Sequence, residues 1–214
     1  MTHGKGILMV VSGPAGSGKT TLIETLIQAH PGKARRAVTS TTRPPRPGEI
    51  NDVDYHFHSR EEFERLLAAG DFLEHNVFNG HYYGTPKQAL EADLARGGVV
   101  ILVIDVNGAK SVRNFFPAAA FVFVIPPTRH ELHRRLRGRG TEDLTNLKRR
   151  LTIAENEITH IDEYRFLVIN DKIPLAIRDL EAIIRSVDCS NLVKGAAEEW
   201  NRDGFAGWAE RNFF

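Results

Sequence analysis

The chain has 214 residues, of which 28 are basic and 27 acidic, and its formal net charge is +1. Hydrophobic residues make up 42% and charged residues 26%, which is ordinary for a folded globular domain and argues against disorder. The longest apolar run, Ala118–Ile125, is too short for a membrane helix, and the N-terminal apolar segment is too short for a signal peptide. The single cysteine, Cys189, cannot form an internal disulfide, so we expect a cytoplasmic protein without a membrane partner.

The near-neutral total charge conceals two basic stretches. Residues 25–48 hold five basic residues and no acid, and residues 129–150 carry a net charge of +5. Such stretches indicate either anion binding or ordinary solvated surfaces. Composition alone leaves both interpretations open.

Continuous apolar runs predict buried parallel strands, and helical periodicity predicts the segments between them. In chain order we predict strand Ile7–Val11, helix Thr20–Ala29, helix Thr85–Ala95, strand Val99–Ile104, strand Phe121–Ile125, helix Arg129–Leu136, helix Asn146–Ile158, strand Phe166–Ile169 and helix Ile173–Val187. This alternation predicts an α/β fold in which a mainly parallel sheet is flanked by helices.

Two segments interrupt the alternation. Thr39–Gly84 is rich in turn formers and aromatic residues, and we expect a small inserted subdomain with short strands and one helix near Arg60–Ala69. Arg137–Arg150 combines glycines with charges, which predicts a mobile flap.

The strongest motif is GPAGSGKT, which fits the P-loop pattern G-x-x-x-x-G-K-[ST] between a predicted strand and a predicted helix. Its glycines let backbone N–H groups curl round a phosphate, and the helix N-terminus adds positive charge. We expect the motif to bind ATP or another nucleoside triphosphate, with the lysine on the β- and γ-phosphate oxygens and the threonine on Mg²⁺. Its residues are Gly13, Pro14, Ala15, Gly16, Ser17, Gly18, Lys19 and Thr20. The P-loop does not identify the reaction, because motors, GTPases, transporters and kinases all contain one.

A second candidate site lies in residues 41–49, with the sequence TTRPPRPGE. Arg43 and Arg46 lie three residues apart on a segment stiffened by proline, and arginine forks fit phosphate oxygens well. Tyr55 follows with a hydroxyl that can donate to the same phosphate. On the arginines alone, a charged surface loop is the alternative.

Together with further motifs in the same order, these segments resemble the guanylate kinase family over about residues 5–187. The further matches are Tyr55–Phe57, Phe72–His75, Tyr82–Thr85, Ile125–Pro127, Arg135–Glu142 and Val168–Asp171. The resemblance implies a P-loop nucleoside monophosphate kinase with a core (5–36, 93–128 and 159–187), a GMP-binding insert (37–92) and a lid (129–158). Residues 188–214 lie beyond it as an extension of unknown role.

The activity implied by the resemblance is ATP-dependent phosphorylation of GMP, and of dGMP, by direct in-line transfer in purine nucleotide metabolism. The implied catalytic residues are Lys19, Arg43, Arg139 and Arg150. The implied GMP-binding residues are Thr39, Arg43, Arg46, Glu49, Tyr55, Glu74, Tyr83 and Thr85. Arg135 and Asn170 are implied for ATP, and Thr20 and Asp105 for Mg²⁺.

Base selection is the finest of these expectations. The resemblance implies that Glu74 accepts hydrogen bonds from the guanine N1–H and 2-amino group and that the Thr85 hydroxyl recognises the O6 atom. The chemistry agrees, because guanine offers two adjacent donors that one carboxylate can accept together, whereas adenine lacks that pair. Two positions depart from the family pattern. Val103 stands where the family usually has an Asp that helps contact the base, which leaves that contact open, and Asp52 occupies a turn position that Asp tolerates.

Three alternatives remain. A related kinase acting on another phosphate monoester, such as a phosphorylated ribose, is disfavoured by Glu74 and Thr85. A non-catalytic guanylate-kinase-like binding module is disfavoured by the complete P-loop and lid. A nucleic-acid partner is not expected, since phosphate handling accounts for the basic residues. Asp105 has the alternative role of a helix cap or loop acid, and the sequence leaves monomer and homo-oligomer undecided.

Overall fold

The computed structural model describes residues 6–137 and 144–188. The strands are β1 (Ile7–Ser12), β2 (Ala34–Arg36), β3 (Thr39–Thr41), β4 (Tyr55–Phe57), β5 (Phe72–Phe78), β6 (His81–Pro86), β7 (Val99–Val103), β8 (Ala120–Ile125) and β9 (Phe166–Ile169). The helices are α1 (Lys19–Ala29), α2 (Arg60–Ala69), α3 (Lys87–Ala95), α4 (Val106–Phe115), α5 (Arg129–Arg137), α6 (Leu144–Ile158) and α7 (173–188). None of the helices in these two ranges is both long and apolar enough to cross a bilayer.

The centre of the fold is a five-stranded parallel sheet in the order β2–β7–β1–β8–β9. Helices cover both faces, so its strands are apolar on both sides. On one face, Val11 packs with Leu22 of α1 and Leu180 of α7. On the other face, Leu102 packs with Val112 of α4. The predicted α/β architecture is confirmed.

The carboxyl ends of the central strands open at one edge of this sheet. β1 leads into the P-loop at Gly13, and the neighbouring strand β7 is followed by Asp105. Ligands of open α/β sheets bind at this edge, because the loops after the parallel strands converge there.

The predicted insert is a second, four-stranded sheet in the order β4–β3–β6–β5, with α2 packed beside it. Helix α2 begins after Ser59, whose side chain accepts a hydrogen bond from the Glu62 amide, and it ends at Gly70 in the left-handed conformation. Phe63 on α2 is fully buried and stacks between Phe72 and Tyr82 at 4.4 and 5.1 Å. These aromatic contacts hold α2 on the sheet.

The structure corrects the sequence prediction at three elements. Strand β2 and helix α4 were not predicted, because β2 has only three residues, two of them arginines, and α4 carries a glycine in its first turn. Helix α3 begins at Lys87 rather than Thr85, since Thr85 pairs with Glu74 across β5 and β6. The predicted flap is helical up to Arg137 and again from residue 144, and residues 138–143 lie outside the described residues.

Candidate active site

The P-loop forms a tight turn between β1 and α1. Gly13, Gly16 and Gly18 all have positive φ values, of 143°, 86° and 84°. A Cβ atom at Gly13 would collide with the carbonyl oxygen of Val124, so the loop lies directly against strand β8. Only glycine combines this conformation with this approach, and the motif therefore has the geometry that phosphate binding requires.

The Lys19 side chain folds back into this loop. Its ammonium donates to the carbonyl oxygens of Gly13 and Pro14 at 2.5 and 3.1 Å, and to Ser17 Oγ at 3.5 Å. The positive charge is thus held inside the turn, close to the N-terminus of α1, where an anion is favoured.

The outer side of the loop is braced by two residues predicted to contact ATP. Asn170 Nδ2 donates to the Ser17 carbonyl at 2.9 Å, and Arg135 Nη2 donates to the Asn170 carbonyl at 3.0 Å. Arg135 also donates to Glu131, and hydrogen bonds from Arg134 and Arg135 lower the pKa of the Glu131 carboxyl to about 2. Arg135 and Asn170 support the loop, and their contact with ATP stays a prediction.

A cleft of about 260 Å³ separates the P-loop from the four-stranded sheet and joins the two predicted sites. The wall formed by the P-loop, here called the donor side, carries a lysine and a threonine hydroxyl. The opposite wall, here called the acceptor side, carries an arginine, tyrosines and a buried carboxylate. Its lining residues are Gly13, Ala15, Lys19, Thr20, Thr39, Arg46, Tyr55, Glu74, Asn76, Phe78, Tyr83, Gly84, Val103, Ile104, Asp105 and Glu157. The cleft thus brings the predicted triphosphate site and the predicted phosphate site of residues 41–49 together.

Arg43 lies behind this lining and is held by Glu49. Its Nη2 donates to both Glu49 carboxylate oxygens at 2.9 Å, and the guanidinium lies over the Tyr55 ring. Burial alone would raise the pKa of Glu49, but hydrogen bonds from the Arg46 amide and the Arg43 guanidinium lower it below its usual value. Glu49 therefore orders the loop of residues 41–49, and its contact with GMP stays a prediction.

Glu74 is the buried carboxylate of the acceptor side, with 7% of its surface exposed. Thr85 lies opposite on β6, and its hydroxyl donates to Glu74 Oε1 at 2.5 Å. Burial raises the pKa of Glu74 to about 7; the Thr85 hydrogen bond opposes this shift, and the charge of Asp105 adds to it. Gly108 lets α4 approach closely, because a Cβ there would lie 2.8 Å from Glu74 Oε2.

Asp105 is both the cap of α4 and part of the cleft lining. Its Oδ1 accepts from the Gly108 amide at 2.8 Å, and its Oδ2 accepts from Asn76 Nδ2 at 2.7 Å. The helix-cap alternative is thus present in the structure. The Thr20 hydroxyl and the Asp105 carboxylate line the same cleft, and hard oxygen atoms of this kind fit Mg²⁺.

The two predicted lid arginines are only partly covered by the structure. Arg150 lies half-buried on α6, and Arg139 lies outside the described residues. Their joint closure over a triphosphate therefore stays a prediction.

Sequence reasoning missed two polar residues of the cleft, Asn76 and Glu157. Asn76 lies two residues after Glu74 on β5 and therefore shares its face, which is a signal available in the sequence. Glu157 lies on the apolar face of α6 that includes Ala154, where a charged residue is out of place.

Two positions were noted above as departures from the family pattern. Val103 lines the cleft, and Asp52 has the positive φ of 63° expected at a turn.

Comparison with known proteins agrees with this geometry. A family model described as guanylate kinase matches residues 5–187. The guanylate kinase of Desulfitobacterium hafniense is 42% identical over 189 residues, which cover 88% of this chain and 94% of that protein. The guanylate kinase of Thermosynechococcus vestitus is 46% identical over 181 residues, with coverages of 85% and 94%. The crystal structure of guanylate kinase from Anaplasma phagocytophilum has a TM-score of 0.70 at 30% identity and covers 85% of this chain and 86% of that chain. The chain therefore belongs to the guanylate kinase family.

Proposed function

We propose that this protein transfers the γ-phosphoryl group of ATP directly to GMP, and to dGMP, giving GDP or dGDP and ADP. One observation carries the proposal. A buried carboxylate, Glu74, lies in the same cleft as the P-loop lysine and the phosphate-binding candidates Arg46, Tyr55 and Tyr83. The cleft therefore offers one place for a guanine base, one for its phosphate and one for a triphosphate.

Binding of the phosphate acceptor is assigned to the loop of residues 41–49 and to the four-stranded sheet. Arg46, Tyr55 and Tyr83 line the cleft and supply donors for the three oxygens of a monophosphate, and Thr39 adds a hydroxyl beside them. Arg43 contributes its charge from behind, in the orientation set by Glu49. A phosphate held this way presents one oxygen towards the donor side of the cleft.

Donor binding and charge stabilisation are assigned to the P-loop and the lid. Lys19 exchanges its loop carbonyl partners for the β- and γ-phosphate oxygens, and the loop amides receive the remaining charge. Arg139 and Arg150 close over the transferring group and exclude water that would otherwise consume ATP. Mg²⁺, held through Thr20 and Asp105, supplies Lewis-acid stabilisation of the phosphate oxygens.

Base selection is assigned to Glu74 and Thr85. In its ionised form, Glu74 accepts from both the N1–H and the 2-amino group of guanine. Adenine offers no matching pair of donors, so its binding leaves a buried carboxylate unpaired. Thr85 holds the carboxylate in place through its hydroxyl. By family resemblance, the same residue recognises guanine O6.

The test is ADP release with Mg-ATP and one acceptor at a time: GMP, dGMP, AMP, CMP, UMP or ribose 1,5-bisphosphate. We expect turnover with GMP and dGMP at least a hundredfold above that with AMP, because a site with buried polar groups rejects the mismatched base strongly. Preference for AMP or for the ribose bisphosphate, or absence of turnover with GMP, contradicts the proposal.

A further inference from the structure

Glu157 is a buried acid that the proposed mechanism does not use. It lies in the last turn of α6, has 8% of its surface exposed and lines the cleft beside the P-loop. Its helix packs against the loop through Ala154, which clusters with Leu132, Leu136 and Ala15. A carboxylate is doubly disfavoured here, since it is desolvated and also lies at the negative end of the helix dipole.

The surroundings of Glu157 compensate for this cost only in part. Burial raises the pKa of the carboxyl to about 6, while the Lys19 ammonium and the Ala15 amide stabilise its ionised form and Asp105 repels it. Among the described residues, no donor lies within hydrogen-bond distance of Oε2. One oxygen of a buried acid in the cleft thus lacks a donor.

The chemistry of the occupants restricts what can supply that donor. Phosphate oxygens of ATP and GMP only accept hydrogen bonds from the protein at neutral pH and repel a carboxylate. The guanine donors are assigned to Glu74, and Lys19 turns to the phosphates when nucleotide binds. The donors that are left include ribose and adenine groups, uncoordinated water and water bound to Mg²⁺. The last is the strongest donor beside the triphosphate, because this ion keeps several of its waters and polarises them.

We propose that Glu157 is a positioning residue whose Oε2 accepts a hydrogen bond from water on the Mg²⁺ of the donor nucleotide. This inference rests on the proposed function, because it takes Mg-ATP as the donor. Carboxylates in the outer shell of a metal orient its ligands and contribute to its affinity. Arg150 lies on the same helix seven residues earlier, so the bond also fixes the helix that carries this lid arginine.

The test compares the binding of a non-hydrolysable ATP analogue with and without Mg²⁺, by calorimetry in the absence of acceptor. Glu157→Gln keeps the size of the side chain and removes its charge. We expect the factor by which Mg²⁺ strengthens binding to fall about tenfold in this variant. Metal-free analogue should bind more tightly than to the unmodified protein, because a repelling charge is gone. Glu155→Gln, on the exposed side of the same helix, is the matched control and should leave both values unchanged.

A second readout uses turnover at varied free Mg²⁺. In Glu157→Gln the Mg²⁺ concentration for half-maximal rate should rise about tenfold, with recovery at high Mg²⁺. A residue that only stabilises the fold moves neither this midpoint nor the binding ratio. If Glu157→Gln fails to fold by circular dichroism, Glu157→Asp replaces it, because it withdraws the carboxylate by about 1.5 Å and should lose part of the enhancement.

An unchanged Mg²⁺ enhancement in the folded variant would overturn the inference. Failure of the proposed function has a different signature, which is absence of GMP-dependent ADP release by the unmodified protein. The binding comparison contains no acceptor, so the two failures are distinguishable.

Discussion

Replacing Glu74 by glutamine separates two effects of one buried carboxylate. The substitution preserves the shape of the side chain and leaves an oxygen to accept from Thr85. It removes the negative charge and places an N–H₂ group where a second acceptor was. We therefore expect weaker GMP binding together with a more stable free protein at high pH.

The loss of binding follows from the hydrogen bonds to guanine. An ionised Glu74 accepts two charge-assisted bonds, each contributing about 1.5–3 kcal/mol, whereas glutamine offers one neutral bond of about 1 kcal/mol and leaves a guanine donor unpaired. The difference of about 3 kcal/mol corresponds to at least a hundredfold higher Kd for GMP at pH 8. ATP binding should be unchanged, because Glu74 lies on the acceptor side of the cleft. Glu91→Gln, an exposed acid on α3, is the control.

The gain in stability follows from the raised pKa. Burial raises the pKa of Glu74 to about 7 in the folded protein from its ordinary value of 4.5, so the unfolded chain loses this proton at lower pH. The unmodified protein therefore loses stability as the pH rises from 4.5 through 7, by about 3 kcal/mol in total. Glu74→Gln avoids this loss. Urea unfolding should thus show the variant to be the more stable form at pH 8 and similar at pH 5.

The same pKa predicts how GMP binding depends on pH. The ionised fraction of Glu74 falls about tenfold between pH 8 and pH 6, so the Kd for GMP should rise about tenfold over that range. The GMP phosphate also titrates there, and Glu74→Gln reports its contribution alone. The reasoning would be refuted if the Kd for GMP had the same pH dependence in both proteins. It would also be refuted if Glu74→Gln bound GMP at pH 8 as tightly as the unmodified protein does.

Three further substitutions test other parts of the cleft. Arg46→Ala should raise the Kd for GMP at least tenfold in calorimetry without changing the affinity for ATP. Arg65→Ala, at an exposed arginine, should change neither affinity. Loss of ATP binding in Arg46→Ala would argue against separate sites. Gly13→Ala should abolish ATP binding and lower the Tm through collision with β8. Gly32 also has a positive φ, of 73°, but open space around it, so Gly32→Ala should cost only about 1 kcal/mol; equal Tm losses would contradict this. Asp105→Asn should keep the α4 cap and lose most of kcat. Asp105→Ala should lose kcat and also cost about 1 kcal/mol of stability in urea unfolding, because the cap is removed. Normal turnover of Asp105→Asn would exclude a catalytic role for the charge of Asp105.

The local parts of the site could be predicted from the sequence. Eight consecutive residues carry the P-loop. The strand before it is strongly apolar and the helix after it has an apolar face, so Gly13 and Lys19 were identified with their surroundings. Helix α2 was predicted near Arg60–Ala69, which are its observed bounds, and Ser59 and Gly70 at its ends are residue types typical of helix caps.

The remaining parts depend on contacts between distant segments. The Glu74–Thr85 bond requires the pairing of β5 with β6, and Glu157 reaches the P-loop across more than 130 residues of chain. Asp105 was read as a metal candidate, yet the same carboxylate caps α4, a helix that was not predicted because a glycine lies in its first turn. Hydrophobic periodicity contains no information on such pairings, because it reports only which face of each element is buried.

The cleft to which we assign two phosphate-bearing substrates contains three carboxylates, Glu74, Asp105 and Glu157. Burial raises the pKa values of two of them to about 7 and about 6, so their ionised forms are costly in the free protein. Under the roles assigned above, each acid has a different partner: guanine N–H groups for Glu74, the metal ion for Asp105 and metal-bound water for Glu157. A wrong base or a metal-free nucleotide leaves one of these charges unpaired, and the cost falls on that complex alone. We infer that the acids act in selection, because they penalise incomplete substrates, while the arginines and Lys19 supply the attraction.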